Sequence, residues 1–139
     1  MVELIAGRKG KGKTVVLLDR VNEAVKTANG SIVYLDKNTK HMFELNNRVR
    51  LIDCSAYPLK NADEFVGFIC GIISQDHDLE QLYLDCFLTI AKLEGLDVSN
   101  TLSQLVYLSD KFNVNFIISI SLDAEEIPAD FRELISTSL

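Results

Sequence analysis

The chain has 139 residues, 47% of them hydrophobic, and a formal net charge of −6. This suits one domain with a sizeable core and excludes a disordered chain. The negative balance argues against broad coating of nucleic acid. No apolar run is long enough to cross a bilayer, and Met1-Val2-Glu3-Leu4-Ile5 lacks the basic segment of a signal peptide, so a cytoplasmic protein without a membrane partner is expected.

Val2-Glu3-Leu4-Ile5-Ala6 is short, mostly apolar and partly β-branched, which predicts a buried strand. It runs into Gly7-Arg8-Lys9-Gly10-Lys11-Gly12-Lys13-Thr14, which fits G-x-x-x-x-G-K-[ST], the Walker A phosphate-binding loop. Val16, Leu17, Val21, Ala24, Val25 and Ala28 then recur at helical spacing, with Asn29-Gly30 as a stop signal. Strand, Gly-rich loop and helix are the context that the motif needs. Glycines let the backbone curl so that successive N–H groups face one concavity, and the helix that starts near Lys13 adds its positive end. Residues Gly7 to Thr14 are therefore the expected nucleotide site. Lys13 is expected to reach the β- and γ-phosphates and the Thr14 hydroxyl to ligate Mg²⁺. The competing reading is a Gly-rich turn with solvated lysines. Arg8, Lys9 and Lys11 crowd the same loop, where they are solvated or meet an acidic partner or a nucleic-acid backbone.

Ser31 to Leu35 predicts a second strand ending at Asp36, and Val49 to Asp53 a third, separated by an irregular connection with one helical turn near Met42 to Leu45. Asn61 suits the N-cap of the next helix, with Glu64 returning the bond. Phe65, Val66, Phe68, Ile69, Ile72 and Ile73 make that helix well buried. Gly67 and Gly71 share a face, where close approach to the sheet, or less readily a dimer contact, offsets their cost. Gln81 to Asp85 is an apolar strand that delivers an Asp downstream of the Gly-rich loop, the Walker B arrangement, with Asp85 holding Mg²⁺. Asp97 or Ser99 caps a helix striped by Leu102, Leu105, Val106, Leu108 and Phe112. Asn115 to Ser121 predicts a fifth strand, and Pro128 a closing helix with Phe131, Leu134 and Ile135 on one face. Cys54, Cys70 and Cys86 fit neither a zinc pattern nor a disulfide framework and are expected as reduced, mostly buried thiols. His41 and His77 are isolated.

Strands separated by helices imply parallel pairing with helices on both faces, an α/β domain spanning residues 1–139 whose ligands sit beyond the carboxyl ends of the strands. Gly7, Asp36, Asp53, Asp85 and Ser121 all lie at such ends.

The order of these parts resembles the ATPase core of RecA-like P-loop proteins over nearly the whole chain. It is also similar to small bacterial ATP-binding proteins often labelled twitching-motility ATPases. The resemblance implies a three-layer α/β/α fold with a mainly parallel five-stranded sheet in the order 3-2-4-5-1, rather than the nucleotide-kinase order in which the loop strand and the Asp85 strand are neighbours. It places Ser119 or Ser121 where the family senses the γ-phosphate. Asp36 falls where the family carries a water-activating glutamate, here one methylene shorter. It thus implies Lys13, Asp36 and Asp85 as catalytic residues and ATP with Mg²⁺ as ligands. Two departures matter: Cys86 follows Asp85 where many hydrolytic relatives carry a glutamate, and these 139 residues have no room for the additional N-terminal domain and the further acidic and His-containing motifs that the twitching motors need, so a motility role is not expected.

The leading expectation is a Mg²⁺-dependent ATPase that is slow or stimulated by a protein partner or a second copy. A nucleotide-dependent switch without useful hydrolysis is the second, favoured by Cys86, and a small-molecule kinase the third, weakened by the missing Arg-bearing lid. Adenine is favoured over guanine because no N-K-x-D-like segment follows the fourth strand.

Overall fold

The computed structural model describes residues 1–139. Strand β1 (Val2–Ala6) leads through the Gly-rich loop to helix α1 (Lys13–Ala24), then β2 (Ser31–Asp36) and β3 (Val49–Asp53). Helix α2 (Ala62–Ser74), β4 (Leu79–Leu84), the short α3 (Phe87–Ile90), α4 (Ser99–Phe112) and β5 (Asn115–Ile120) follow, and β6 (Ile135–Ser138) closes the series. The sheet order is β3-β2-β4-β5-β1-β6, and every pairing is parallel. β5 separates β1 from β4, so the loop strand and the strand leading to Asp85 are not neighbours.

The sheet has six strands, not the expected five. Pro128 does not open an α-helix. Ala129–Leu134 forms a 3₁₀ segment, and Ile135–Ser138 then lies along the edge that β1 would otherwise expose. The Ile-Ser-Thr-Ser sequence alternates half-buried with exposed, as an edge strand does. Four residues are too few for that period to outweigh the helical spacing of Phe131, Leu134 and Ile135.

Side-chain alternation along the strands divides the core in two. Leu4, Ala6, Val33, Leu35, Leu82, Leu84, Phe116 and Ile118 pack with Phe65 and Ile69 of α2 and with Leu102 and Leu105 of α4. Ile5, Ile32, Tyr34, Tyr83 and Ile117 point the other way and pack with Leu17, Leu18 and Val21 of α1. Burying each large apolar side chain contributes about 1.5–3 kcal/mol. The register Tyr34↔Tyr83 stacks the two rings with centroids 6.2 Å apart, and it aligns the carboxyl ends of β2 and β4.

Three local expectations need correction. Asn61 caps α2 through its bond from the Glu64 N–H (2.9 Å), but the Glu64 carboxylate accepts from Lys60 N–H at 2.7 Å rather than from the cap itself. Gly67 and Gly71 face outward: a Cβ at either position would meet nothing within 4 Å. Cys70 shares that exposed face, while Cys54 is buried and Cys86 half-buried. Gly30 does not terminate α1, which ends at Ala24. A Cβ there would fall 2.0 Å from the Asp78 carbonyl oxygen. The glycine thus permits the close approach of β2 to the chain entering β4.

Candidate functional site

Alternation that buries Tyr34, Tyr83 and Ile117 on the α1 side carries Asp36, Asp85, Ser119 and Ser121 to the same side two or four residues later. α1 starts at that same end, because the chain turns sharply after β1. Gly10 (φ 88°) and Gly12 (φ 91°) hold the left-handed backbone that favours glycine. Gly12 is the N-cap of α1, no side chain caps the helix, and its first turn holds no acidic residue. The first-turn N–H groups therefore present their partial positive charge with no side chain neutralising it.

Four donors converge on Asp85, which is 1% exposed. The Ser119 hydroxyl donates to Oδ1 at 2.6 Å and the Cys86 N–H to the same oxygen at 2.9 Å. The buried Tyr34 hydroxyl donates to Oδ2 at 2.8 Å, and the Thr14 hydroxyl reaches Oδ1 at 3.3 Å. The Cys86 N–H also reaches Ser119 Oγ at 2.9 Å, so carboxylate, hydroxyl and backbone are locked together. Burial first, and then the Asp85 charge, push the Tyr34 phenol far above its ordinary range and hold it as a donor. Burial likewise pushes the Cys86 thiol up to about 11.

Asp36 is 2% exposed. Its Oδ1 accepts from the Lys37 N–H at 2.7 Å, while Oδ2 has no hydrogen-bond partner. Burial raises its pKa above the usual carboxylate value, a shift opposed by the Lys37 N–H and reinforced by the Asp85 charge. Lys13 is 7% exposed and donates to the Arg8 carbonyl oxygen at 3.0 Å. It takes part in none of the chain's ion pairs, and burial lowers its pKa against the attraction of Cys86 and Asp85. A nearly buried ammonium without a carboxylate partner suits an incoming anion.

A cleft of about 730 Å³ brings Lys9, Gly10, Gly12, Lys13 and Thr14 together with Asp36, Asp85 and Ser121. Gly7, Arg8 and Lys11 do not line it. Gly7 (φ 155°) donates its N–H to the Leu122 carbonyl oxygen at 2.9 Å and lies under Leu139. Arg8 pairs with Asp123 at 2.7 Å and Glu126 at 3.0 Å, which docks the loop against the segment after β5. Asp53 turns away from the cleft to accept from Ser55 N–H and Oγ–H. No arginine lines the cleft, and Arg132 is bound to the Ile127 and Glu125 carbonyl oxygens.

The sequence leaves Ser119 and Ser121 as alternatives, and Ser119 is the residue bonded to Asp85. Tyr34 was missed, because a tyrosine in an apolar strand reads as core until the β2–β4 register is known. Lys37, Lys40 and His41 also line the cleft, from the connection that carried no clear period. Its 3₁₀ turn spans Met42–Glu44.

Thr14 and Asp85 offer hard oxygen donors of the kind that divalent cations take, and the unpartnered Asp36 Oδ2 belongs to a residue lining the same cleft. The uncapped N-terminus of α1, with Lys13 beside it, suits a phosphate chain. No helix is long and apolar enough to cross a membrane. No protein-family model matches the chain, and no curated protein matches it.

Proposed function

We propose that the chain binds ATP with Mg²⁺ in this cleft and hydrolyses it slowly, or faster on contact with a protein partner or a second copy. The observation that carries this reading is one juxtaposition: the uncapped start of α1, preceded by a left-handed glycine turn, lies against Asp85 with the Thr14 hydroxyl between them. On this reading the chain is a cytoplasmic RecA-like P-loop domain of three-layer α/β/α build. The six-stranded order supports it, because β3-β2-β4-β5-β1 lies unbroken within it.

The loop N–H groups and Lys13 bind and orient the phosphates, and Thr14 and Asp85 hold the cation. Ser119 and Tyr34 fix the Asp85 carboxylate for that task. When bound, Mg²⁺ neutralises charge on the β- and γ-phosphates. Asp36 is the carboxylate available to orient water, since the thiol of Cys86 cannot act as a carboxylate base. With no arginine in the cleft, the isolated chain lacks a contribution worth roughly 10³–10⁵ in rate where it has been tested. A partner's arginine would supply it.

Single-turnover hydrolysis of ATP, with and without Mg²⁺, tests the reading. Slow, Mg²⁺-dependent product formation that is lost in Lys13→Ala is expected. Steady-state turnover on the order of 10 s⁻¹ by the isolated protein, a typical enzyme value, measured beside it with ATP in excess, would contradict slow hydrolysis. Tight binding with no product at all would favour the switch, to which Cys86 and the arginine-free cleft also point.

A further inference from the structure

We infer that Asp36, Asp85 and Cys86 form a binding site for a thiophilic divalent cation of the Zn²⁺ class, which fills without nucleotide. One ligand atom from each residue lies within 4.8 Å of the other two. The buried Asp36 carboxylate adds an independent pointer: Oδ2 has no partner, and an unpaired buried acceptor is costly. A cation bound by the cluster gives the Asp36 carboxylate the partner it lacks.

The donor set selects the ion. Two carboxylates and a thiolate are ligands for Zn²⁺, with bonds of about 2.0–2.3 Å and a fourth position open. Mg²⁺ prefers oxygen throughout. Reaching those bond lengths needs the three ligand atoms to draw together, and Cys86 is the one member of the cluster that is not fully buried. On coordination the thiol gives its proton to solvent, and the thiolate pair becomes the metal–sulfur bond. The outer shell is already in place: Tyr34 and Ser119 hold Asp85, and the Lys37 N–H holds Asp36. Such partners typically change metal affinity by about 10–100-fold.

The site stands without the nucleotide reading. Its consequence for that reading is competition, because Asp85 serves both: Zn²⁺ displaces Mg²⁺ and weakens Mg-ATP binding. The thiol thus makes the cleft sensitive to the metal supplied.

Co²⁺ alone is the probe, titrated into reduced protein without nucleotide. The expected result is a one-to-one thiolate-to-cobalt charge-transfer band that is abolished in Cys86→Ser and kept in Cys70→Ser and Cys54→Ser. Asp36→Asn weakens Co²⁺ binding, and Ser119→Ala does so by about 10–100-fold. No band in the wild type, or a band that survives Cys86→Ser, overturns the site. A second measurement needs no variant: Zn²⁺ slows iodoacetamide alkylation of Cys86 and leaves that of Cys70 unchanged. Equal alkylation of Cys86 with and without Zn²⁺ overturns the site as well. Mg-ATP binding is measured on the same preparation. A cobalt band without nucleotide binding keeps the cation site and removes the nucleotide reading, and the converse result does the reverse.

Discussion

The Thr14 hydroxyl donates to Asp85 Oδ1 across 3.3 Å, joining the first turn of α1 to the residue after β4 although β5 lies between β1 and β4. The bond is long for O–H···O. It is the weakest of the four on this carboxylate, and so the one that a cation between the two oxygens replaces at least cost.

Asp85→Asn keeps the volume and removes the charge. Nucleotide affinity measured by equilibrium dialysis should fall in Mg²⁺ and change little in EDTA. An equal loss in both conditions would assign Asp85 to packing rather than to the cation.

Tyr34→Phe removes one donor from Asp85 and leaves the Oδ2 of this buried carboxylate without a protein partner. Unfolding in urea should show a loss of about 1–3 kcal/mol, the cost of an unsatisfied buried acceptor, with the m-value unchanged. Stability equal to wild type would mean that water replaces the phenol.

The raised pKa of Asp36 has a direction that can be checked in metal-free protein. Between the ordinary carboxylate pKa and the raised folded value, the native state binds more protons than the unfolded chain. Stability contributed by this residue is therefore full below the ordinary value and falls as pH rises through the raised one. Asp36→Asn should gain on wild type at pH 7 and lose that advantage below about pH 4. Denaturation at the two pH values decides, and an advantage that grows on acidification would contradict the shift.

Gly71→Ala should stabilise the chain by about 0.5–1 kcal/mol, since the site is mid-helix and a Cβ meets nothing. Thermal melts measure this. A loss of stability would restore the expectation that the small residue permits close packing.

Much of the sheet was legible because parallel strands buried on both faces read as apolar runs, and five such runs stand between turn signals. Asp36 and Asp85 were visible for the same reason, as charges ending those runs. The sixth strand was not, because the alternation of Ile135 to Ser138 is only four residues long and is outweighed by the helical spacing of Phe131, Leu134 and Ile135. Gly67 and Gly71 misled because a glycine pair in an apolar helix suggests packing, and only the angular position of α2 shows that they face out. Tyr34 and Ser119 depend on register: which strand lies beside which decides whether a hydroxyl meets Asp85 or stays in the core. Arg8 was legible as a charge but not as a partner of Asp123, which lies 115 positions further on.

The central claim is that the cleft between the Gly7–Thr14 loop and Asp85 binds Mg-ATP, and thermal melts of wild type and Lys13→Ala test it most directly. At ligand a hundredfold above Kd, the wild-type fold should gain about 2.7 kcal/mol, seen as a rise in Tm with Mg-ATP. Lys13→Ala should show little of that rise while keeping its folded baseline. The same rise in both proteins, or none in the wild type at saturating Mg-ATP, would contradict the claim.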